Sequence, residues 1–345
     1  MIHDDLSLMV VGAGAIGGIT AALLKKKGYN VEIVCRNAEY ASIISNEGLE
    51  VSGTCGEFRV TVPAYSSFSD VKEKKDIILH ATKAYDIAES AKQAMGILKD
   101  DGYVISMQNG ICEDALAAIF GKDRIIGCIT GWGATMNSRG KLIMTSGGDF
   151  IIGYPWKARD PFLDDIAGIL SSVVPVRITD NILGHLYSKL IINSCVTSLG
   201  AICGLYLGKM LSVKKIRRIF IEIIHEAVMV AEAMKIKIEV FGGKLDFNKF
   251  IKGNNIFSDM RRHLLIRIIG FSYRKLKSSS LQSLERGRLT EVDYLNGYVV
   301  QNGRRLNVPV PVNSAIVAMI HEIEQKKRKI SFENFNYPVF DLFND

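Results

Sequence analysis

Six residues near the start of the chain, Gly12-Ala13-Gly14-Ala15-Ile16-Gly17, constrain the fold more than any others. They follow a short apolar run at residues 6–11, which predicts a strand, and open a helical stretch at residues 15–27 that Gly28 closes. A glycine-x-glycine-x-x-glycine run is a weak signal alone. Between a strand and a helix it has the context of a dinucleotide-binding βαβ unit. There Gly12 permits the tight turn, Gly14 lets the backbone approach a pyrophosphate, and Gly17 lets helix and strand pack closely. The amides at the helix N-terminus are then free to bind phosphate. The competing explanation is a glycine-rich turn with no ligand.

The chain around this turn alternates short apolar strands with helices. Strands are expected at residues 31–35, 76–81, 103–107 and 125–130, with a helix at 85–98. Alternation of this kind predicts a parallel sheet covered on both faces. Turn residues at 137–140 and 147–148 divide the stretch 132–153 into β-type runs, expected as hairpins at the edge of that sheet. Beyond about residue 180 helical periodicity dominates, at 182–206, 213–234 and 290–306. The expected architecture is an α/β Rossmann-type dinucleotide-binding domain at 1–180, a mainly α-helical substrate domain at 181–330 and a peripheral tail at 331–345. The basic segment 235–277 reads as irregular.

Composition narrows the function classes. Of 345 residues, 48% are hydrophobic and 23% charged, an ordinary globular mix. The net charge of +7 raises the question of nucleic acid or a membrane surface, but the basic residues are dispersed. The clusters at 25–27 and 326–329 lie near helix ends, where cations favour the helix dipole. Neither partner is expected. Two uncharged stretches, 6–24 and 190–208, are long enough to imitate a membrane span. Glycines break the first and polar residues interrupt the second, so both read as buried segments. The N-terminus is acidic where a secretion signal needs basic residues. Six cysteines without metal-ligand spacing read as free thiols of a cytoplasmic protein, and no metal is expected.

Several residues could carry chemistry. Arg36 stands just past the second strand, where an acidic residue would select NAD. A guanidinium there pairs with a 2′-phosphate and favours NADP; a solvated loop arginine is the alternative. Lys83 and Asn109 follow later strands, at the carboxyl edge where open α/β sheets bind ligands, though either could be a plain loop residue. Lys189, Asn193 and Thr197 recur every four residues and share a helix face. A lysine among apolar residues at the start of a buried helix is unusual. Its ammonium could protonate a carbonyl oxygen that gains negative charge on reduction, or it could snorkel from an apolar surface. Glu291 could act from the second half, and a helix-capping acid explains it equally well.

Taken together these residues resemble the ketopantoate reductase (2-dehydropantoate 2-reductase) family, over about residues 8–324. The most specific block is Arg-Gly-Arg-Leu-Thr-Glu-Val-Asp-Tyr-Leu-Asn-Gly at 286–297. The resemblance implies reduction of 2-dehydropantoate to pantoate with NADPH, in pantothenate and coenzyme A synthesis. It implies that residues 12–17 and Arg36 hold NADPH, and that Lys83, Asn109 and Ala134 line its nicotinamide side. Lys189 would be the general acid, Asn193 would bind substrate with Ser279 contributing, and Glu291 would face substrate and cofactor. NADPH and substrate would then lie in a cleft between the two domains. Thr197 stands where some members carry a second asparagine, and Ser283 where some carry an aspartate. Both departures fall near the substrate-binding residues, which leaves open a different small 2-oxo acid. A non-catalytic NADP sensor is a further alternative, disfavoured because a sensor needs no proton donor. A homodimer is left open.

Overall fold

The computed structural model describes residues 6–341. The acidic N-terminal residues 1–5, weighed above for a secretion signal, and the last four residues of the tail lie outside the described residues. The chain divides into two compact units, Met1–Ile182 and Leu183–Asp345.

The first unit is α/β, as the alternation predicts. Its elements are β1 (Ser7–Val11), α1 (Ala15–Lys26), β2 (Asn30–Val34), α2 (Ala38–Asn46), β3 (Leu49–Gly53), β4 (Phe58–Val60), β5 (Ala64–Tyr65) and β6 (Lys75–His80). There follow α3 (Ile87–Ala94), β7 (Leu98–Ser106), α4 (Glu113–Phe120), β8 (Ile125–Thr130), β9 (Gly133–Ser138), β10 (Lys141–Ser146), β11 (Phe150–Gly153), α5 (Pro161–Leu170) and β12 (Val176–Ile178). The main sheet has the order β12-β11-β8-β7-β6-β1-β2-β5. Val10 of β1 pairs in parallel with Ile33 on one side and Leu79 on the other. Every residue of β1 and of β8 is buried, which is why these strands are written as unbroken apolar runs rather than alternating ones.

Two expectations for this unit need correction. The hairpin at 132–153 does not extend the edge of the parallel sheet. β9 and β10 pair with β3 and β4 in a separate sheet of order β4-β3-β10-β9, and only β11 joins the main sheet, antiparallel to β8. The small sheet packs on α1: a Cβ at Gly18 would lie 2.6 Å from Leu142 Cδ1. Turn residues mark a hairpin but not which sheet receives it. The helix expected at 85–98 is also shorter. Turns of 3₁₀ helix at Ala84–Asp86 and Met95–Ile97 flank α3, and the chain is already extended in β7 at Leu98.

The second unit is helical: α6 (Ile182–Cys203), α7 (Leu207–Ser212), α8 (Lys214–Ala233), α9 (Phe247–Ile251), α10 (Ile256–Ser272), α11 (Ser279–Glu285), α12 (Asn296–Leu306), α13 (Pro311–Glu324) and α14 (Pro338–Asp341). Among the described residues α6 is the one helix long and apolar enough to cross a membrane, and 78% of its most apolar window is buried. The segment 235–277, read as irregular, contains two capped helices. The Asp246 side chain accepts from Lys249 N to start α9, and that of Asn255 accepts from Ser258 N to start α10. The helix expected from residue 290 begins instead as a 3₁₀ turn at Val292–Tyr294. The tail is not peripheral: Phe335 and Phe340 are fully buried, and Asn334 Nδ2 donates to the Ile202 carbonyl at 3.2 Å.

A buried carboxylate organises this unit. Glu226 of α8 accepts from Val312 N at 2.7 Å, Asn313 N at 2.9 Å and Asn313 Nδ2 at 2.6 Å, at the N-terminus of α13. Asn296 Nδ2 donates to Asn313 Oδ1 and to the Ser194 carbonyl of α6, and Ser198 Oγ donates to Asn296 Oδ1. Four helices thereby share one satisfied polar network. Replacing Glu226 with alanine strands three donors, and Glu226→Ala is expected to destabilise the protein by about 2–4 kcal/mol. Urea denaturation followed by circular dichroism measures this. A loss below about 0.5 kcal/mol, the range of ordinary surface substitutions, would show that water replaces the carboxylate.

Candidate active site

The glycine turn has the geometry its sequence predicts. Gly12 adopts φ +105°, and its amide donates to the Val34 carbonyl at 2.8 Å. A Cβ on Gly17 would lie 2.1 Å from the Gly12 carbonyl oxygen, which holds α1 tightly to β1. A Cβ on Gly14 would meet nothing within 4 Å, so the turn is open where a ligand would approach. No side chain caps α1, no acid sits in its first turn, and Lys25 and Lys26 occupy its last. Its dipole is therefore arranged for an anion at the N-terminus. Ala13 is buried and accepts from Tyr40 Oη at 3.1 Å, whereas Ala15 and Ile16 are partly exposed at the mouth of the turn.

The backbone ladder of the main sheet continues past its strand ends. Ala81 N donates to Val11 O at 2.8 Å and Met107 N to His80 O at 3.0 Å. The loops carrying the glycines, Lys83 and Asn109 therefore leave one edge side by side. Lys83 is exposed at the start of the 3₁₀ turn, and Asn109 is half-buried beside Gly110, at φ +87°. Ala134 is placed differently, on β9 of the small sheet opposite Met144.

Arg36 stands with its side chain 84% exposed and forms a two-pronged pair with Asp86, both N–O distances being 2.9 Å. Asp86 escapes sequence reasoning because its partner is fifty positions away. His80 and Gln108 escape it for the same reason. Ser106 Oγ donates to Gln108 Oε1 at 3.1 Å, and Gln108 Nε2 donates to His80 Nδ1 at 2.5 Å. His80 Nε2 then donates to Ser90 Oγ at 3.1 Å, and Ser90 Oγ donates to the Asp86 carbonyl at 2.7 Å. This buried chain ties the loop of Asn109 to the residue that grips Arg36. It requires a neutral imidazole, and burial lowers the His80 pKa to about 4. Nearby, burial pushes the Glu113 carboxyl up to about 7.

In the second unit, α6 carries the other candidates. Leu186, Tyr187, Leu190, Ile191 and Cys195 are buried, while His185, Lys189 and Asn193 form a partly exposed stripe. Thr197 continues the stripe but is 8% exposed, and its hydroxyl donates to the Asn193 carbonyl at 2.8 Å. Ser279 is exposed at the start of α11; Ser278 is the residue that caps this helix, accepting from Leu281 N. Gly200 of α6 permits the approach, since a Cβ there would lie 2.7 Å from Ser278 Oγ. Glu291 is 8% exposed at the N-cap position of the turn at Val292–Tyr294 and makes no side-chain capping bond to it. Thr290 takes that local role, accepting from Val292 N at 3.2 Å.

Family models match both units: "Ketopantoate reductase PanE/ApbA" over residues 8–156 and its C-terminal counterpart over residues 181–324. The chain belongs to the ketopantoate reductase family. Members are dinucleotide-binding oxidoreductases. Among similar proteins, the 2-dehydropantoate 2-reductase of Pyrococcus abyssi is 28% identical over 91% of this chain and 97% of its own length. That of Pyrococcus horikoshii is 27% identical over 91% and 96%. The crystal structure of a PanE/ApbA family ketopantoate reductase from Ralstonia eutropha superposes with a TM-score of 0.80 at 26% identity, covering 93% of this chain and 99% of that one. A D-mandelate dehydrogenase solved with NADH and anilino(oxo)acetate shares the fold, with a TM-score of 0.81 at 22% identity over 93% and 99%. Within the family block at 286–297, Asn296 is fully buried in the network described above.

The titrations of His80 and Glu113 have opposite signs. An unfolded chain protonates His80 below its usual 6.5, and the folded one only near 4, so this contribution is present at neutral pH and lost as pH falls through that window. Glu113 takes up its proton near 7 when folded and near 4.5 when unfolded, so it adds stability as pH falls from 7 to 4.5. The stability advantage of the wild type over His80→Gln should therefore shrink by about 2–3 kcal/mol between pH 6.5 and 4. Relative to Glu113→Gln, the wild type should gain as pH falls. Urea midpoints across pH check both slopes, and parallel curves for wild type and His80→Gln would refute the neutral-imidazole chain.

Proposed function

We propose that this chain is an NADPH-dependent 2-dehydropantoate 2-reductase, producing pantoate for pantothenate and coenzyme A synthesis. The observation that carries the reading is the stripe on α6: an otherwise buried apolar helix leaves Lys189 and Asn193 partly exposed together. Bound NADPH supplies the hydride. The amides of residues 12–17 would hold its pyrophosphate, and Arg36 its 2′-phosphate. Lys83, Asn109 and Ala134 would serve the nicotinamide end. The Lys189 ammonium would donate a proton to the 2-oxo oxygen as that oxygen gains charge. Asn193 and Ser279 would hold the substrate, and the Glu291 carboxylate would accept hydrogen bonds from substrate and cofactor.

One observation favours a second reading, a reductase of another small 2-oxo acid. The Thr197 hydroxyl bonds back to its own helix and does not present the amide that some relatives carry there. A panel of 2-oxo acids, followed by loss of the reduced-nicotinamide absorbance, separates the two. 2-Dehydropantoate should give the highest kcat/KM, and a higher value for another acid would transfer the assignment.

The cofactor preference rests on Arg36, which must exchange its Asp86 partner for phosphate. Arg36→Ala is expected to weaken NADPH binding roughly ten- to a hundred-fold and leave NADH nearly unchanged. Asp86→Asn, which releases the guanidinium, should tighten NADPH binding. Fluorescence titration of both cofactors reads these constants, and a wild-type preference for NADH would remove the role given to Arg36.

Lys189→Ala should lower kcat by about 10²–10⁴-fold, the usual range for loss of a general acid. NADPH affinity should hardly change, because the first unit would hold most of the cofactor. Near wild-type turnover in this variant would make Lys189 a snorkelling helix residue.

A further inference from the structure

α10 turns its apolar residues outward. Phe257 is 78% exposed, Met260 62%, Leu264 59%, Ile268 53% and Phe271 71%. The helix is nonetheless anchored: Arg262, Ile266 and Gly270 are buried, and a Cβ at Gly270 would lie 2.9 Å from Leu211 Cβ of α7. The exposed face has a definite pattern. Relative to Leu264, the two phenylalanines lie seven residues either way, and Met260 and Ile268 four residues either way. At 3.6 residues per turn all five project within about 40° of one direction. The row reads the same from both ends.

We propose that this face binds a second copy of the chain, with two α10 helices packed antiparallel about a two-fold axis at Leu264. A two-fold contact requires that if one residue meets another, the second meets the first. A row symmetric about its centre meets that condition along its whole length. Leu264 meets its own equivalent, Phe257 meets Phe271 of the partner subunit, and Met260 meets Ile268 of the partner subunit. Two aromatic pairs thus close the ends of the contact.

The flanks agree. Arg261 and Arg267 lie about 60° to either side of the row. In the antiparallel arrangement each lies beside an apolar residue, Ile268 or Met260 of the partner subunit, and their alkyl stems can cover it. Arg261 is also engaged: its guanidinium donates to the Lys249 carbonyl at 2.8 Å, at the end of α9. This bond fixes the direction of the Arg261 stem along the side of the row. Ile256, Leu265, Tyr273 and Leu276 are also exposed and extend the apolar area. The five side chains of the row together offer on the order of 600 Å², taking large apolar side chains at roughly 150–200 Å² each. That is the upper end of the roughly 300–600 Å² patch of a typical monomer, and the stems of Arg261 and Arg267 bring it towards one partner's share of a standard interface, about 800 Å².

Analytical ultracentrifugation at micromolar concentration should give twice the chain mass for the wild type. Leu264→Glu sets two carboxylates together at the axis and should weaken the dimer at least about a hundred-fold. Circular dichroism and thermal melting establish that the variant is folded. The register is tested with a short bismaleimide, matched to the about 8–10 Å between packed helices. Five of the six native cysteines are buried and Cys55 is only partly exposed, so background cross-linking from the native thiols is measured on the wild type. Leu264→Cys should cross-link to itself. Phe257→Cys alone should not, because its equivalents lie about 21 Å apart along the pair, whereas a mixture of Phe257→Cys and Phe271→Cys should. A monomeric wild type overturns the proposal. So does a dimer indifferent to Leu264→Glu, a self-cross-link at position 257, or a monomer that sediments with anionic phospholipid vesicles.

Discussion

The first unit depends on how closely α1 approaches β1. At Gly17 the separation leaves no space for a single extra carbon, which would lie 2.1 Å from the Gly12 carbonyl oxygen. That contact directs the N-terminus of α1 to the carboxyl edge of the main sheet and leaves its first amides uncapped. On its other side, Gly18 admits Leu142 of the small sheet. α1 is thus held between two sheets by two adjacent glycines. An alanine at Gly17 would meet main chain, force the helix outward and disturb the turn, whereas one at Gly18 would meet only the end of the Leu142 side chain.

The loops that carry the candidate residues are tied together by buried polar groups as well as by apolar packing. The chain from Ser106 through Gln108, His80 and Ser90 to Asp86 spans the ends of β6 and β7. In the second unit Glu226, Asn313, Asn296 and Ser198 tie α6 to α8, α12 and α13. A buried polar network restricts its members to few arrangements, since each broken bond leaves an unsatisfied group in a low dielectric. That gives Lys189 and Asn193 a rigid platform and fixes where Asn109 and Arg36 begin.

Much of the candidate site was legible because its signals are local. The glycine turn, the position of Arg36 after β2 and the four-residue spacing of Lys189 and Asn193 need only a few neighbouring residues to be recognised. Asp86, His80 and Gln108 were not legible, since each is defined by a partner ten to fifty positions away. Thr197 was read from the same spacing as Asn193, yet its hydroxyl turns back on the helix. α10 was missed because its apolar residues occur on more than one face, Ile266 buried and Leu264 exposed, while Arg262 lies on the buried side, so no single core-facing stripe stands out.

By itself the sequence determined the α/β character of the first unit, the dinucleotide-type turn and the helical nature of the second. Backbone periodicity, glycine freedom and apolar runs act over one or two turns of chain, and they are written in consecutive residues. Tertiary structure alone decided that β9 and β10 join β3 and β4 in a sheet of their own. It also decided that Arg36 meets Asp86, and that Phe335 and Phe340 of the tail are buried. These outcomes depend on which distant surfaces meet, and a pairing between surfaces has its energy only once both are formed.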